Sequence, residues 1–143
     1  MSLAALATWI VAALLGGFLF ATWIAHGGLR PRSGDRPSRF APLLIFSHVG
    51  LAVTGLAVWI GYLELRTRTL AWSALAILVL VASLGSTMFG LWLRGGHGRS
   101  RGRHVSGPRH AAEDHFPPPA VLAHGAFAVT TVVLVLLTAL RAA

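Results

Sequence analysis

Residues 40–54 read FAPLLIFSHVGLAVT, and residues 116–130 read FPPPAVLAHGAFAVT. At a constant offset of 76, the two segments share Phe, Pro, His and the triplet Ala-Val-Thr. The matched positions are Phe40 with Phe116, Pro42 with Pro118, His48 with His124, and 52–54 with 128–130. A second match, at an offset of 69, pairs GGFLFATWI at 16–24 with GSTMFGLWL at 85–93. The pattern indicates a duplicated helical hairpin, with repeat halves of about 1–64 and 70–140.

The composition around these segments is that of a membrane protein. Of 143 residues, 55% are hydrophobic and 11% charged, whereas a soluble domain carries about 25% charged residues. Four apolar runs, at 3–25, 41–63, 70–93 and 118–140, each supply the roughly 20 residues that a membrane-spanning helix needs. The first run is long and has no basic residue before it, so we interpret it as a retained span rather than a signal peptide. The sequence predicts a single all-α integral membrane domain: an up-down-up-down four-helix transmembrane bundle with a pseudo-twofold axis along the membrane normal.

Arginine sets the expected orientation of this bundle. The formal charge is +8, and nine of the twelve basic residues lie in the connections after the first and third spans. They are Arg30, Arg32, Arg36, Arg39, Arg94, Arg99, Arg101, Arg103 and Arg109. The positive-inside rule places both long loops in the cytoplasm and both termini outside, in a bacterial-type inner membrane. Within the Arg/Gly-rich cytoplasmic loop 94–116, residues 94–110 include no Phe, Tyr or Trp that could stack on bases, so we expect contact with anionic lipid headgroups and no nucleic acid.

Apart from Tyr62 at the end of the second span, His48 and His124 are the only ionisable residues inside the predicted spans. Each lies eight residues beyond its repeated Phe, so both imidazoles are expected at one depth, roughly 12 Å further along the helix. Ionisable groups are costly in a membrane and usually face the bundle interior, which makes them functional candidates. The second and fourth spans should be diagonal, with axes roughly 11–14 Å apart. An iron porphyrin fits that gap, with one axial nitrogen from each His, and predicts one haem b per chain.

Smaller residues near the two histidines are candidates for the haem pocket. Helical spacing places Leu51, Ala52 and Gly55 on the face of His48, and Phe127, Ala128 and Thr131 on the face of His124. Gly16 and Gly85 either admit the macrocycle or let helices approach closely. Arg39 or Arg94 is expected to pair with the propionates, and His26 is placed near them.

This pattern resembles membrane-embedded b-type cytochromes, in which haem is held between histidines of different spans. It also resembles small uncharacterised four-span bacterial membrane proteins. The resemblance covers the four-span layout and residues His48 and His124. It implies electron transfer, with a quinone or a partner complex as donor or acceptor. Many membrane cytochromes stack two haems, but the other halves of these spans contain no His, so the chain departs from that pattern.

Several alternatives stay open at this point. The two histidines could serve another metal, carry protons, or form only structural hydrogen bonds. The chain would then be a cofactor-free accessory or scaffold subunit, and a haem sensor or haem-handling protein is a further alternative. No catalytic constellation is found, so we expect an electron carrier more than an enzyme. No role is assigned to His97, His104, His110 or His115, and the oligomeric state, a homo-oligomer included, is not predicted.

Overall fold

A computed structural model describes residues 1–30, 37–97 and 111–142. Within these ranges, all regular secondary structure is helical. The long helices are α1 (Ser2–Ala25), α2 (Pro42–Leu65), α3 (Arg68–His97) and α4 (Pro118–Arg141), and a short 3-10 helix (Ala112–His115) precedes α4. The predictions for Arg32, Arg36, Arg99, Arg101, Arg103, Arg109, His104 and His110 lie outside the described residues.

The helix boundaries follow from local sequence. Pro42 and Pro118 each lie in the first turn of a helix, where a missing amide hydrogen costs nothing and the fixed φ favours the helical conformation. At the other end of α2, Arg66 adopts a left-handed conformation with φ of 54°. Only two residues, Arg66 and Thr67, then separate α2 from α3, so these helices form a tight antiparallel hairpin.

All four long helices can cross a membrane. Their most apolar windows have mean hydropathies between 2.0 and 2.3, and no more than 22% of any such window is buried inside the bundle. The remaining apolar surface needs a nonpolar solvent, because soluble monomers rarely expose contiguous apolar patches of this size. The predicted all-α four-helix transmembrane bundle is confirmed, and the chain is a multi-pass membrane protein.

The four helices associate as two close pairs. α1 packs most extensively against α4, and α2 packs most extensively against α3. Contacts of α1 with α2 and of α3 with α4 are fewer, and they cross the boundary between the pairs, which we call the seam. Among the described residues, no Cα of α2 lies within 8 Å of a Cα of α4, and the same holds for α1 and α3. In cross-section the helices therefore lie at the corners of a square, in the order α1, α2, α3, α4. The two histidine-bearing helices, α2 and α4, lie on a diagonal.

Two hydrophobic clusters occupy opposite ends of the bundle. The first lies at the terminus end, which contains the chain termini and the α2–α3 turn, and it is built on Trp9, Trp59 and Tyr62 with several buried alanines. The second lies at the loop end, where the two long connections are, and it contains Trp23, Phe40, Ile45 and Ala112. The level of His48 and His124 falls between these clusters.

Candidate functional site

His48 of α2 and His124 of α4 face each other across the middle of the bundle. Their ring centres are 6.3 Å apart and their ring planes are inclined at 66°. Among the described residues, no Cα atom of α2 lies within 8 Å of a Cα atom of α4, so the two histidine side chains span the gap between these diagonal helices. The sequence-based placement of both imidazoles at one depth agrees with this geometry. We call this level the histidine layer.

A backbone carbonyl of a facing helix fixes each imidazole. Nδ1 of His48 lies 3.0 Å from the carbonyl oxygen of Val81 on α3. Nδ1 of His124 lies 2.9 Å from the carbonyl oxygen of Ala12 on α1. A carbonyl oxygen can only accept, so both Nδ1 atoms carry the proton and donate it. In the neutral ring, Nε2 then keeps its lone pair and is the nitrogen available to a metal ion.

A glycine lies beside each of these imidazoles, one helical turn beyond the accepting carbonyl. A methyl group placed on Gly16 would lie 2.9 Å from Cε1 of His124. A methyl group placed on Gly85 would lie 3.1 Å from Cε1 of His48. Both distances are shorter than an ordinary van der Waals contact between carbon atoms, which is about 3.5–4.0 Å. Glycine at these two positions therefore leaves room for the ring of the facing histidine.

The two sets of contacts are related by the offsets found in the sequence. Val81 follows Ala12 by 69 positions, Gly85 follows Gly16 by 69, and His124 follows His48 by 76. Each histidine thus donates to one carbonyl and packs against one glycine, at matched positions of the other half. The sequence match between the halves extends to three-dimensional contacts.

The histidine layer is more exposed than the clusters on either side. Along α1, the buried residues Trp9 and Trp23 bracket Ala12 and Gly16, which contact His124. Ala12 and Val81 are buried, whereas both histidines and both glycines are only half-buried. At the loop side, the rings of Phe20 and Phe46 meet edge to face with centres 5.7 Å apart.

The residues predicted to line a pocket divide into two groups. Leu51, Ala52 and Ala128 are half-buried, and Phe127 has 37% of its surface exposed. Gly55 and Thr131 lie one turn further toward the terminus end, and both are buried.

Residues of other helices already fill the surroundings of Gly55 and Thr131. A methyl group on Gly55 would lie 3.0 Å from Cγ2 of Ile77 and 3.1 Å from Cζ2 of Trp9. Oγ1 of Thr131 lies 2.9 Å from Oγ1 of Thr8 on α1 and 2.8 Å from the carbonyl oxygen of Phe127. Gly55 and Thr131 therefore close the terminus-end side of the histidine layer and do not line the space around the two imidazoles.

A polar network closes the loop end of the bundle. Glu113 of the 3-10 helix is fully buried, with Oε2 accepting from the hydroxyl of Ser38 at 2.9 Å and Oε1 accepting from the amide of Arg39 at 2.8 Å. The guanidinium of Arg39 lies 3.4 Å from Glu113 Oε1 and 3.3 Å from Asp114 Oδ1. Asp114 also accepts from the amide of Ala111. Arg39, predicted to bind a propionate, thus has two carboxylate partners in this structure.

Aromatic residues support this network. The indole nitrogen of Trp23 donates to Oγ of Ser38 at 2.9 Å, and Trp23 itself is fully buried. The repeated residues Phe40 and Phe116 contact each other with ring centres 6.0 Å apart. We call Ser38, Arg39, Glu113 and Asp114 the loop-end clamp.

His26 and His115 meet beside the clamp, a contact that no sequence pattern predicts. Their rings are stacked, with centres 4.0 Å apart and planes inclined at 16°. Nδ1 of His26 lies 2.8 Å from the carbonyl oxygen of Thr22. Neither the stack nor the clamp could be derived from spacing, because each joins segments more than 70 positions apart.

Within the described residues, no group of three or more His, Cys, Asp or Glu side chains is arranged to hold a metal ion. No protein family, curated protein sequence or solved structure matches this chain, so its function is argued from its own residues.

Proposed function

We propose that the chain is a membrane haem b protein that relays single electrons. One haem lies between α2 and α4, with His48 and His124 as the axial ligands of its iron. The observation that carries the proposal is the pair of imidazoles, both fixed through Nδ1, whose ring centres are 6.3 Å apart across the bundle.

That distance suits two imidazoles sharing one iron. Nitrogen–metal bonds from histidine are about 2.0–2.1 Å long. In a five-membered ring with bonds of about 1.33 Å, the atoms lie roughly 1.1 Å from the ring centre. Two imidazoles on opposite sides of one iron therefore have ring centres roughly 6.2 Å apart. The inclination of 66° between the rings is compatible, because two nitrogen–metal bonds on opposite sides of an iron require no particular angle between the ring planes.

The hydrogen bonds to Val81 and Ala12 suit a ligand role as well. Histidines that bind metals commonly donate their other ring N–H to a carbonyl or carboxylate, which fixes the ring and makes the ligating nitrogen more basic. Each hydrogen bond lies within one close pair of helices, so each pair presents one imidazole to the seam. A flat macrocycle bound to both would lie in the seam, where the two pairs make fewer contacts.

The chain favours a non-covalent, six-coordinate haem. It has no Cys, so neither a thiolate ligand nor a thioether attachment is available. The iron changes its charge by one when it accepts or donates an electron, and the proposed donor or acceptor is a quinone or a partner redox complex. Leu51, Ala52, Ala128 and Phe127 would contact the macrocycle. Exposed Arg94, near the loop end of α3, would pair with a propionate, and Arg39 could do so only by sharing its carboxylate partners.

The proposed orientation rests on charge. Nine arginines lie in the two long connections, against three in the rest of the chain, so the loop end faces the cytoplasm and both termini lie outside. The haem would then sit nearer the cytoplasmic surface. Because only one haem is proposed, a transmembrane relay would need a further redox centre in a partner.

The proposal is tested by the absorption spectrum of protein purified in detergent from haem-supplemented cells. We expect a red protein whose Soret band sharpens and shifts when dithionite is added. The closed axial site should also resist carbon monoxide in the ferrous state. A colourless preparation would overturn the proposal, and rapid carbon monoxide binding would point to a sensor or haem-handling protein instead.

A cofactor-free scaffold subunit is the second candidate, and the same hydrogen bonds favour it. His48 and His124 already join their helices to α3 and α1, which is a structural role in itself. In that case, replacing either histidine by alanine would lower thermal stability, and the purified wild-type protein would contain no stoichiometric haem. Haem content therefore separates the two candidates.

A further inference from the structure

The loop-end clamp joins the two histidine-bearing helices at their starts. α2 begins at Pro42, three residues after Arg39, and α4 begins at Pro118, four residues after Asp114. Among the described residues, α2 and α4 make no backbone approach within 8 Å along their lengths. The clamp is thus a direct polar link between the segments that lead into two otherwise separate diagonal helices.

The link is strong because its central carboxylate is buried and fully partnered. Glu113 is 0% exposed, and its two oxygens accept hydrogen bonds from a hydroxyl, an amide and a guanidinium. Hydrogen bonds to charged groups are shorter and stronger than those between neutral groups. Removing one member of such a buried set leaves the others without compensation, so the set tends to hold or fail as a unit.

The clamp is also anchored to the rest of the bundle. Trp23 of α1 donates to Ser38, whose hydroxyl in turn donates to Glu113. The neighbouring Phe40 and Phe116, which precede α2 and α4 at matched positions of the repeat, touch each other. Displacing either leading segment would therefore break polar and aromatic contacts together.

We infer that the clamp sets the separation of His48 and His124, and that Glu113 and Arg39 are positioning residues for the haem site. This inference rests on the proposed function. Each histidine lies six residues beyond the proline that starts its helix, roughly 9 Å along the helix axis. Over that short distance, a change in the spacing of the helix starts is transmitted to the imidazoles almost undiminished.

The spacing itself can be measured without haem. The chain has no Cys, so Val53→Cys and Val129→Cys introduce two unique spin-label sites. These positions match in the repeat, lie on α2 and α4, and are 63% and 65% exposed toward the lipid. In haem-free protein in nanodiscs, pulsed electron–electron double resonance should give one narrow distribution of distances between the two spin labels. Glu113→Gln should broaden it and shift its mean, whereas Glu64→Gln, an exposed carboxylate at the other end of α2, should leave it unchanged.

The second measurement is haem retention. Transfer of haem to excess apomyoglobin should be at least about tenfold faster from Glu113→Gln than from the wild type, a change of about 1.4 kcal/mol in barrier height. The ferrous variant should also bind carbon monoxide, because a loosened histidine frees an axial position. Glu64→Gln is again the control. A merely structural role for Glu113 would lower thermal stability without opening the axial position.

The two measurements separate failure of this inference from failure of the proposed function. If the wild type holds haem and Glu113→Gln changes neither the distances nor the ligation, the clamp does not set the histidine spacing. If the wild type holds no haem, the proposed function is wrong, while the distances still test the clamp. Should Glu113→Gln fail to fold, Asp114→Asn, which weakens only one of the two ion pairs, should shift both readouts in the same direction by less.

Discussion

The α1/α4 pair and the α2/α3 pair agree at the histidine layer and differ nearer the terminus end. At the layer, each pair has a histidine, an accepting carbonyl and a glycine in the same arrangement. Seven residues beyond each histidine, toward the terminus end, α1/α4 joins Thr8 to Thr131 by a hydrogen bond. At the matched positions, α2/α3 instead packs Ile77 against Gly55, and Trp9 reaches across the seam to the same glycine.

Under the proposed function, this difference separates the part of the repeat that binds the ligand from the part that only packs. Packing has many solutions, so two halves of a bundle can diverge wherever any well-filled interface is sufficient. A ligand held equally from both sides has few solutions, because both imidazoles must reach the same metal. The agreement at the layer and the divergence beyond it are what a shared central ligand would produce.

The largest expected effect comes from replacing one ligand at a time. In His48→Ala and His124→Ala, haem affinity should fall by more than about a hundredfold, beyond the roughly 10- to 100-fold that loss of an outer partner costs. Because the halves are equivalent at this level, the two losses should be similar. Haem content after purification measures the effect, and Thr54→Ala, at an exposed residue of α2 that bonds within its own helix, is the control. Full haem content in either histidine variant would show that the two halves do not both ligate the haem.

The next effect comes from filling the space beside each imidazole. Gly16→Val and Gly85→Val should each displace the facing histidine and lower haem affinity about tenfold, since overpacking typically costs 1–3 kcal/mol. Gly17→Val and Gly90→Val are the controls, because nothing lies within 4 Å of a methyl group at those positions. Haem titration measures the effect. If the controls lose as much affinity as the layer variants, helix propensity and not the imidazole contact explains the loss.

A smaller effect, on stability alone, is expected at Gly55. Gly55→Ala forces a methyl group against Ile77 and Trp9, and we expect a loss of about 1 kcal/mol in the free energy of unfolding. Gly50→Ala on the same helix meets nothing within 4 Å and serves as the control. Unfolding in mixed micelles measures the difference. The haem spectrum should stay unchanged, and a spectral shift would place Gly55 in the haem site.

The smallest effect on stability is expected at Thr131, in the α1/α4 pair. Thr131→Val removes the hydrogen bond to Thr8 at nearly constant volume, and interhelical hydrogen bonds in membranes contribute about 0.6 kcal/mol on average. Thr130→Val is the control, because Thr130 is exposed and bonds only within its own helix. The same unfolding assay applies. A loss of several kcal/mol would show that this bond, and not the histidine layer, unites α1 and α4.

The sequence was sufficient for the four helices and for the placement of the two histidines, because both depend on hydropathy and on register along the chain. The partners of those histidines depend on how each helix is rotated, and many apolar faces look alike in sequence. Val81 and Ala12 accept hydrogen bonds through their backbone carbonyls, which every residue has. Their side chains therefore do not identify them as partners of the histidines. Arg39 shows the same limit. Its charge is evident in the sequence, but its carboxylate partners lie 74 and 75 positions away, so local spacing does not predict them.

The central claim is that two histidines of one chain share a single haem iron. The most direct measurement is the ratio of haem to protein in purified wild type, by the pyridine haemochrome method with amino-acid analysis, together with low-temperature electron paramagnetic resonance of the ferric form. The account predicts one haem b per chain, with a low-spin signal typical of two imidazole ligands. A preparation without haem, or a high-spin signal at full occupancy, would contradict it.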